Sequence, residues 1–217
     1  MKHASRFMVM VAALTVASLG CSVLSALPGN SSVFEDDFSE SGNWGTSSDS
    51  SSSVAYADGG LQMKLFTQNY FVWSTPNTEK LQNIHIEVTA KNNNTPSTTA
   101  FGILCNQQTI NDLFYYFVIT PAGEYAIAET SLTQNDVFLT NNDKWANSDL
   151  IAADAPSYRL GADCGNGTLT FYVDGKQIAS VKDDSYTDGS VGLLTWSGEE
   201  AASADVTFDD FVVTKLK

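Results

Sequence analysis

The sequence predicts an all-β fold: two antiparallel sheets packed as a sandwich of about a dozen strands. Three observations carry this. Apolar residues recur with period 2 through most of the chain, which gives each strand one apolar face. Tight-turn dipeptides, Asp58-Gly59, Asn166-Gly167 and Asp174-Gly175, fall between such runs and supply the positive φ that two-residue hairpins need. After the N-terminal segment no stretch carries an amphipathic helical pattern, and turn signals recur at short intervals, as in sandwiches.

Val33 to Phe38 reads as the first strand. Ser39 to Ser53 is polar and low in complexity, a loop whose Trp44 is a lid over the core edge or, on the alternative reading, a sugar-stacking platform. Ala55 to Leu65 forms a hairpin about Asp58-Gly59, and Asn69 to Ser74 another strand. Ile84 to Lys91 alternates cleanly, with Ile84, Ile86, Val88 and Ala90 inward and His85 and Glu87 sharing the outer face. Ala100 to Asn106 pairs with Leu113 to Thr120. The second of these is apolar on both faces, like a strand covered on both sides. Gly123 to Glu129 follows, then a polar stretch with a short strand at Asp136 to Thr140 and with Trp145. Tyr158 to Lys182 makes two successive hairpins. Leu160, Ala162 and Cys164, then Leu169, Phe171 and Val173, form their apolar faces. Gly189 to Trp196 and Val206 to Val213 complete the set.

The run Thr168-Leu169-Thr170-Phe171-Tyr172-Val173-Asp174-Gly175 and its flanking strands resemble the concanavalin A-like (laminin G-like) jelly-roll superfamily, over nearly all of the chain after the tether. The resemblance implies a two-sheet jelly roll whose terminal strands pair, here through the Asp-Asp-Phe phrases at residues 36–38 and 209–211. It implies a family of lectins, adhesion modules and glycoside hydrolases, so fold alone does not choose among them. It further implies a structural Ca²⁺ where the terminal strands meet, with Glu35, Asp37, Asp209 and Asp210 as its hard oxygen ligands. A solvated acidic edge that discourages aggregation is the alternative for the same residues.

Residues 1–20 read as an export signal: Lys2, His3 and Arg6, then an uncharged apolar run from Phe7 to Leu19. That run is shorter than the roughly 20 residues a spanning helix needs. Ala17-Ser18-Leu19-Gly20-Cys21 resembles a bacterial lipobox, with Leu one place later than usual, and makes Cys21 the lipidation site. A plain secretory signal cut near Gly20 is the alternative. Residues 21–32 form a Ser, Pro and Gly tether, and 33–217 the domain. The expected location is the cell envelope, lipid-anchored to the outer face of the membrane, or secreted on the alternative reading.

Without Lys2 and Arg6 the 11 Lys and Arg fall to 9, against 25 Asp and Glu, a net charge of about −16. Such acidity opposes nucleic acid and anionic lipid head groups as partners. Cys105 and Cys164 lie in predicted strands. Outside the cytoplasm they oxidise if those strands are neighbours, closing a loop of about 60 residues worth roughly 4 kcal/mol. Two buried free thiols are the alternative, and no CxxC or His set completes a metal site.

Chemistry is sparse. Laminarinase-like hydrolases of the superfamily carry Glu-x-Asp-x-x-Glu on one strand. Glu124 and Glu129 have that spacing here, with Ala126 where the Asp stands, and on a regular strand residues five apart face opposite sides. There is no Gly-x-Ser-x-Gly and no His-Glu-x-x-His, and after the signal His85 is the only histidine. What remains is a saccharide-binding face of aromatic rings and polar side chains. Its pool is Trp73, Tyr70, Tyr116, Tyr172, Trp196 and Arg159. Arg159 and Tyr172 lead, because they oppose the apolar faces of their strands. The expectation is a non-catalytic glycan-binding or adhesion module. The competing classes are a glycoside hydrolase, which would show a carboxylate pair in a cleft, and a structural or protein-binding envelope domain, which would show an apolar-filled face.

Overall fold

A computed structural model describes residues 32–216, apart from 94, 110, 112, 131–134 and 201–202. The signal segment, Cys21 and all but the last residue of the tether lie outside the described residues. The strands are β1 (Ser32–Asp36), β2 (Ser47–Ser48), β3 (Ser52–Ala57), β4 (Gly60–Leu65), β5 (Phe71–Ser74), β6 (Ile84–Asn92), β7 (Ala100–Gln107) and β8 (Tyr115–Ile119). They continue with β9 (Glu124–Glu129), β10 (Val137–Phe138), β11 (Ala146–Asn147), β12 (Ser157–Gly165), β13 (Thr168–Val173), β14 (Lys176–Lys182), β15 (Ser190–Trp196) and β16 (Ala204–Lys215). The excess over a dozen comes largely from the two-residue pieces β2, β10 and β11.

The strands form the expected two-sheet antiparallel jelly-roll sandwich. A nine-stranded sheet runs β14-β13-β12-β6-β16-β4-β3-β2, with β1 added beside β16. A seven-stranded sheet runs β10-β9-β8-β7-β15-β5, with β11 added beside β9. The three tight turns form as read: Asp58, Asn166 and Asp174 hold φ of 54°, 54° and 50°, and each is followed by a glycine at 73°, 68° and 73°. Both central residues of a type I′ turn need this conformation.

Period 2 sorts every long strand. From the nine-stranded sheet Ile84, Ile86, Val88, Leu160, Ala162, Phe171, Val206 and Phe208 point inward. From the other sheet Phe101, Ile103, Tyr115, Phe117, Ile119, Ile127 and Leu193 meet them in one buried layer. In β16 the inward set changes from even to odd numbers, Val206 and Phe208 giving way to Phe211 and Val213. The register against β6 shifts between Asp209 and Val212, and Asp210 takes φ +50°. A β-bulge adds one residue and so restores the inward face.

The terminal strands pair as expected, and the register keeps the acidic groups apart: Glu35 lies opposite Val212 and Asp36 opposite Phe211. Trp44 is buried at the core edge, its ring edge-on to Phe211 at 5.0 Å. Its indole N–H donates to Asp36 Oδ2 at 3.2 Å.

Cys105 on β7 and Cys164 on β12 are joined in a disulfide with a sequence separation of 59. The bond ties one sheet to the other through the buried layer. It restricts the unfolded chain by closing a long loop. Replacing both cysteines by Ala is expected to cost about 2–4 kcal/mol, read as a lower urea midpoint with a steeper slope, because the unfolded chain expands. An unchanged midpoint would remove the disulfide from the stabilising interactions.

Candidate functional site

The two outer faces of the sandwich differ in chemistry because inward positions are apolar in both sheets and only the alternate positions are free to vary. On the nine-stranded sheet these alternate residues build a polar network. Register sets Asp163 of β12 opposite His85 of β6, and Gly161 opposite both Glu87 and Tyr172. His85 Nδ1 lies 2.6 Å from Asp163 Oδ1, and its Nε2 lies 3.6 Å from Glu87. Tyr172 O–H donates to Asp163 Oδ2 at 2.8 Å. Arg159 Nη2 donates to Glu87 at 3.1 Å, and Arg159 Nη1 to Thr89 Oγ1 at 3.1 Å and to the bulge carbonyl of Asp210 at 2.8 Å. Gly161 lies beneath: a Cβ there would sit 3.3 Å from Tyr172 Cβ and 3.5 Å from His85 Cε1. Its absence gives the tyrosine and imidazole rings room to meet edge-on at 5.8 Å.

Burial pulls the His85 pKa down, but the hydrogen bonds and charges of Asp163 and Glu87 outweigh it and push it up to about 9. The same contact with His85, with help from Arg159 and against burial, lowers Glu87 to about 2. At neutral pH His85 is therefore an imidazolium, its Nδ1–H donating to Asp163 and its Nε2 side facing Glu87 as an ion pair. Sequence reasoning placed His85 and Glu87 on one outer face. It took the histidine as solvated, whereas the structure pairs it. The missed partner, Asp163, was legible as the outward residue of its strand, but only register brings it to His85.

The outer face of the seven-stranded sheet is aromatic. Phe71 and Trp73 on β5, Tyr116 on β8 and Trp196 on β15 share it with Phe114, Leu104 and Leu194. Tyr116 is the floor of this cluster: it is buried, touches Phe71 and Phe114, and donates its hydroxyl to Asp136 at 3.0 Å. Trp73 is 38% exposed. Trp145 precedes β11, which is four strand steps of about 4.8 Å from β15. Yet its ring stacks on Trp196, with centroids 6.3 Å apart and planes 13° apart. The segment between β10 and β11 therefore leans over the sheet, with Phe138 packed on Trp145 at 5.4 Å. Trp196 Nε1–H donates to Asn69 at 3.3 Å.

The expected ligand-binding residues thus divide. Arg159 and Tyr172 lie on one side of the sandwich, Tyr116, Trp73 and Trp196 on the other, and Tyr70 packs against the inter-sheet core. They do not form one site, because the pleat sends the two sheets' outer faces in opposite directions. Sequence reasoning also missed Phe71, Phe114, Phe138 and Trp145. Parity with Trp73 and Tyr116 marks the first two. Nothing local marks the others, since a loop reaches the face only in three dimensions.

The expected cation ligands are dispersed as well. Asp209 holds Lys91 at 2.7 Å, and Asp37 accepts from the Ser39 hydroxyl at 2.6 Å and amide at 3.0 Å. Glu35 pairs across to Val212, and Asp210 forms the bulge. Among the described residues no three His, Cys, Asp or Glu gather as a metal site. Glu124 and Glu129 lie on opposite faces of β9, whose register with β8 runs without a shift. The outward residues between them are Ala126 and Ala128, both fully buried under the aromatic cluster. Burial and Asp183 raise the Glu129 pKa.

No family model and no curated protein matches the chain. Solved structures do resemble it. The carbohydrate-binding module CBM66 from Bacillus subtilis aligns over 80% of this chain and 96% of its own, at TM-score 0.63 and 11% identity. A Bacillus subtilis protein of unknown function with a galectin-like fold covers 86% and 98%, at 0.63 and 12%. The Bacillus licheniformis β-glucanase covers 87% and 99%, at 0.59 and 15%. At these identities the likeness establishes the fold, the concanavalin A-like jelly roll, for which binding modules and glycanases are both precedents.

The His85 network sets a pH dependence. A folded pKa of about 9 above the unfolded value near 6.5 means its stabilisation is complete below pH 6.5 and is lost as pH rises through 9. Allowing for the ring's partial exposure, this amounts to about 1–2 kcal/mol. Urea midpoints measured from pH 6 to 10 should fall across that window in the wild type and stay flatter in His85→Gln. Equal slopes would show that the imidazolium contributes nothing.

Proposed function

We propose that the domain is a non-catalytic glycan-binding module, exported and tethered at the cell envelope through Cys21, that holds saccharide against the aromatic face of its seven-stranded sheet. The observation that carries this is the aromatic strip Phe71, Trp73, Trp196 and Trp145: partly exposed rings on one face, locked by mutual contacts and by the Trp196–Asn69 hydrogen bond. Sugar rings present apolar C–H faces that stack on such rings, and rings already held by packing lose little freedom on binding. Asn69 and Asp136 sit at the margin, where hydroxyls need polar partners.

Hydrolysis is the weaker reading. A glycosidase needs two carboxyl groups flanking one bond, about 5–9.5 Å apart. Glu124 and Glu129 have the sheet between them, and the face where such a pair would stand offers Ala126 and Ala128. The structural neighbours include a binding module and glycanases alike, so the non-catalytic choice rests on the residues of the face itself. A disulfide between the sheets supports export, because such bonds persist in oxidising compartments. The leaning Trp145 segment fills part of the face and favours one second reading, a protein-binding envelope domain.

The test is a polysaccharide and glycan-array screen of residues 22–217, with Ca²⁺ and with chelator. Saturable binding is expected, weakened about tenfold in Trp73→Ala, as loss of roughly 1.4 kcal/mol of stacking gives, and unchanged in Tyr172→Ala. Calcium-dependent binding would return Glu35, Asp37, Asp209 and Asp210 to the site. Silence from folded protein in both conditions would favour the protein-binding reading.

A further inference from the structure

Three rings of the aromatic strip ride on strands: Phe71 and Trp73 on β5, and Trp196 on β15. Trp145 does not. It is carried by the segment that joins β10 to β11. The chain is pinned at both ends of this segment. Thr140 is buried, and its hydroxyl accepts the Ile127 amide of β9 at 3.4 Å. Ala146 pairs with Tyr125 of the same strand.

Between the pins the backbone is crowded. Asn141, Asn142 and Asp143 hold φ of 48°, 55° and 62°. Asn and Asp visit this left-handed region as single residues, but three in succession, none a glycine, press each Cβ towards the next carbonyl. The hydrogen bonds of the stretch stay within residues 138–145. Asp143 accepts the Phe138 amide at 2.8 Å, Asn141 Nδ2 donates to the Trp145 carbonyl at 2.6 Å, and the Lys144 amide donates to the Thr140 carbonyl at 3.3 Å. Asn141 to Lys144 are all exposed. A strained strap bonded mainly to itself opens at lower cost than the strands on either side of it.

The ring on this strap faces another of its kind. Trp145 and Trp196 are both partly exposed, with planes 13° from parallel and centroids 6.3 Å apart. Trp196 is fixed from the far side by its bond to Asn69. A flat ring held between two such faces touches each at 3.5–4.0 Å, so the centroids must stand about 7–8 Å apart. Parting them from 6.3 Å takes about 1–2 Å, a displacement that the strap alone can supply.

We infer that Trp145 is a clamp: its strap lifts, one pyranose ring of the saccharide enters against Trp196, and the strap closes so that two indoles hold the ring. The inference rests on the glycan-binding reading and deepens it, because it names the group that grips the second face and the sugars that fit. A pyranose whose ring substituents are all equatorial shows C–H groups on both faces, and both faces stack. An axial hydroxyl makes one face polar, and an indole pressed on it buries it without a partner. The clamp therefore selects all-equatorial pyranose units, whereas the open rings Phe71 and Trp73 require only one apolar face.

The test titrates residues 22–217 with cellohexaose and xylohexaose, whose rings are all-equatorial, and with mannohexaose, in which each ring carries one axial hydroxyl. The stacked indoles of the free protein should give an exciton couplet in circular dichroism that Trp145→Phe removes. Saturation with cellohexaose or xylohexaose should reduce the wild-type couplet. Stopped-flow association should level off at high sugar, as opening of the strap becomes limiting. Trp145→Ala should weaken both sugars about tenfold, as loss of one stacked ring gives, through faster dissociation, and Trp145→Phe should restore most of the affinity. Mannohexaose should bind the wild type about tenfold more weakly than cellohexaose, and the gap should narrow in Trp145→Ala. Binding that depends on Trp73 but not on Trp145, a couplet unmoved at saturation, or equal affinity for mannohexaose and cellohexaose overturns the clamp and leaves the strip standing. If none of the three sugars binds, the clamp is overturned too, and the glycan-array screen decides separately whether the strip falls with it.

Discussion

The pleat of the strands governs this protein. Burying one residue between the sheets sends its neighbours outward, so the demand for an apolar inter-sheet layer also decides which residues each outer face can carry. The bulge in β16 shows how strict the demand is. Val206 and Phe208 are inward and so are Phe211 and Val213. No regular strand does this, and the chain inserts Asp210 in a positive-φ conformation to keep the layer intact. The Asp-Asp pair that suggested a cation site is thus first a backbone device, and its carbonyl is held by Arg159.

The two outer faces then take different roles for energetic reasons. Arg159, Glu87, His85, Asp163 and Tyr172 hold one another through short polar contacts, so a ligand would have to break established bonds before making new ones. The network stiffens the middle of the nine-stranded sheet. The aromatic face keeps ring surface in contact with water, and covering that surface releases free energy instead of consuming it. This difference makes the aromatic face the better candidate for recognition, although both faces carry residues of a kind that saccharides favour.

The disulfide connects stability to a cavity at the sandwich end. Cys105 and Cys164 each belong to the buried layer, and the residues after them line the opening. A bond that constrains the unfolded chain also fixes the distance between two walls of that opening.

The family resemblance implied the pairing of the chain ends; the sequence by itself determined the strands, the three hairpin turns and the inward set. These depend on period 2 and on local φ preferences, which act over a few residues. Trp73, Tyr116 and Trp196 were legible as candidates from residue type, and Cys105 and Cys164 as a pair from their strands. Only the tertiary structure decided that Arg159 and Tyr172 lie on the opposite side from those aromatics, that Asp163 meets His85, and that Trp145 crosses the sheet to Trp196. Each of these depends on register between strands distant in the chain or on the path of a loop. Such contacts arise from packing the whole layer at once, and no short stretch of sequence encodes them.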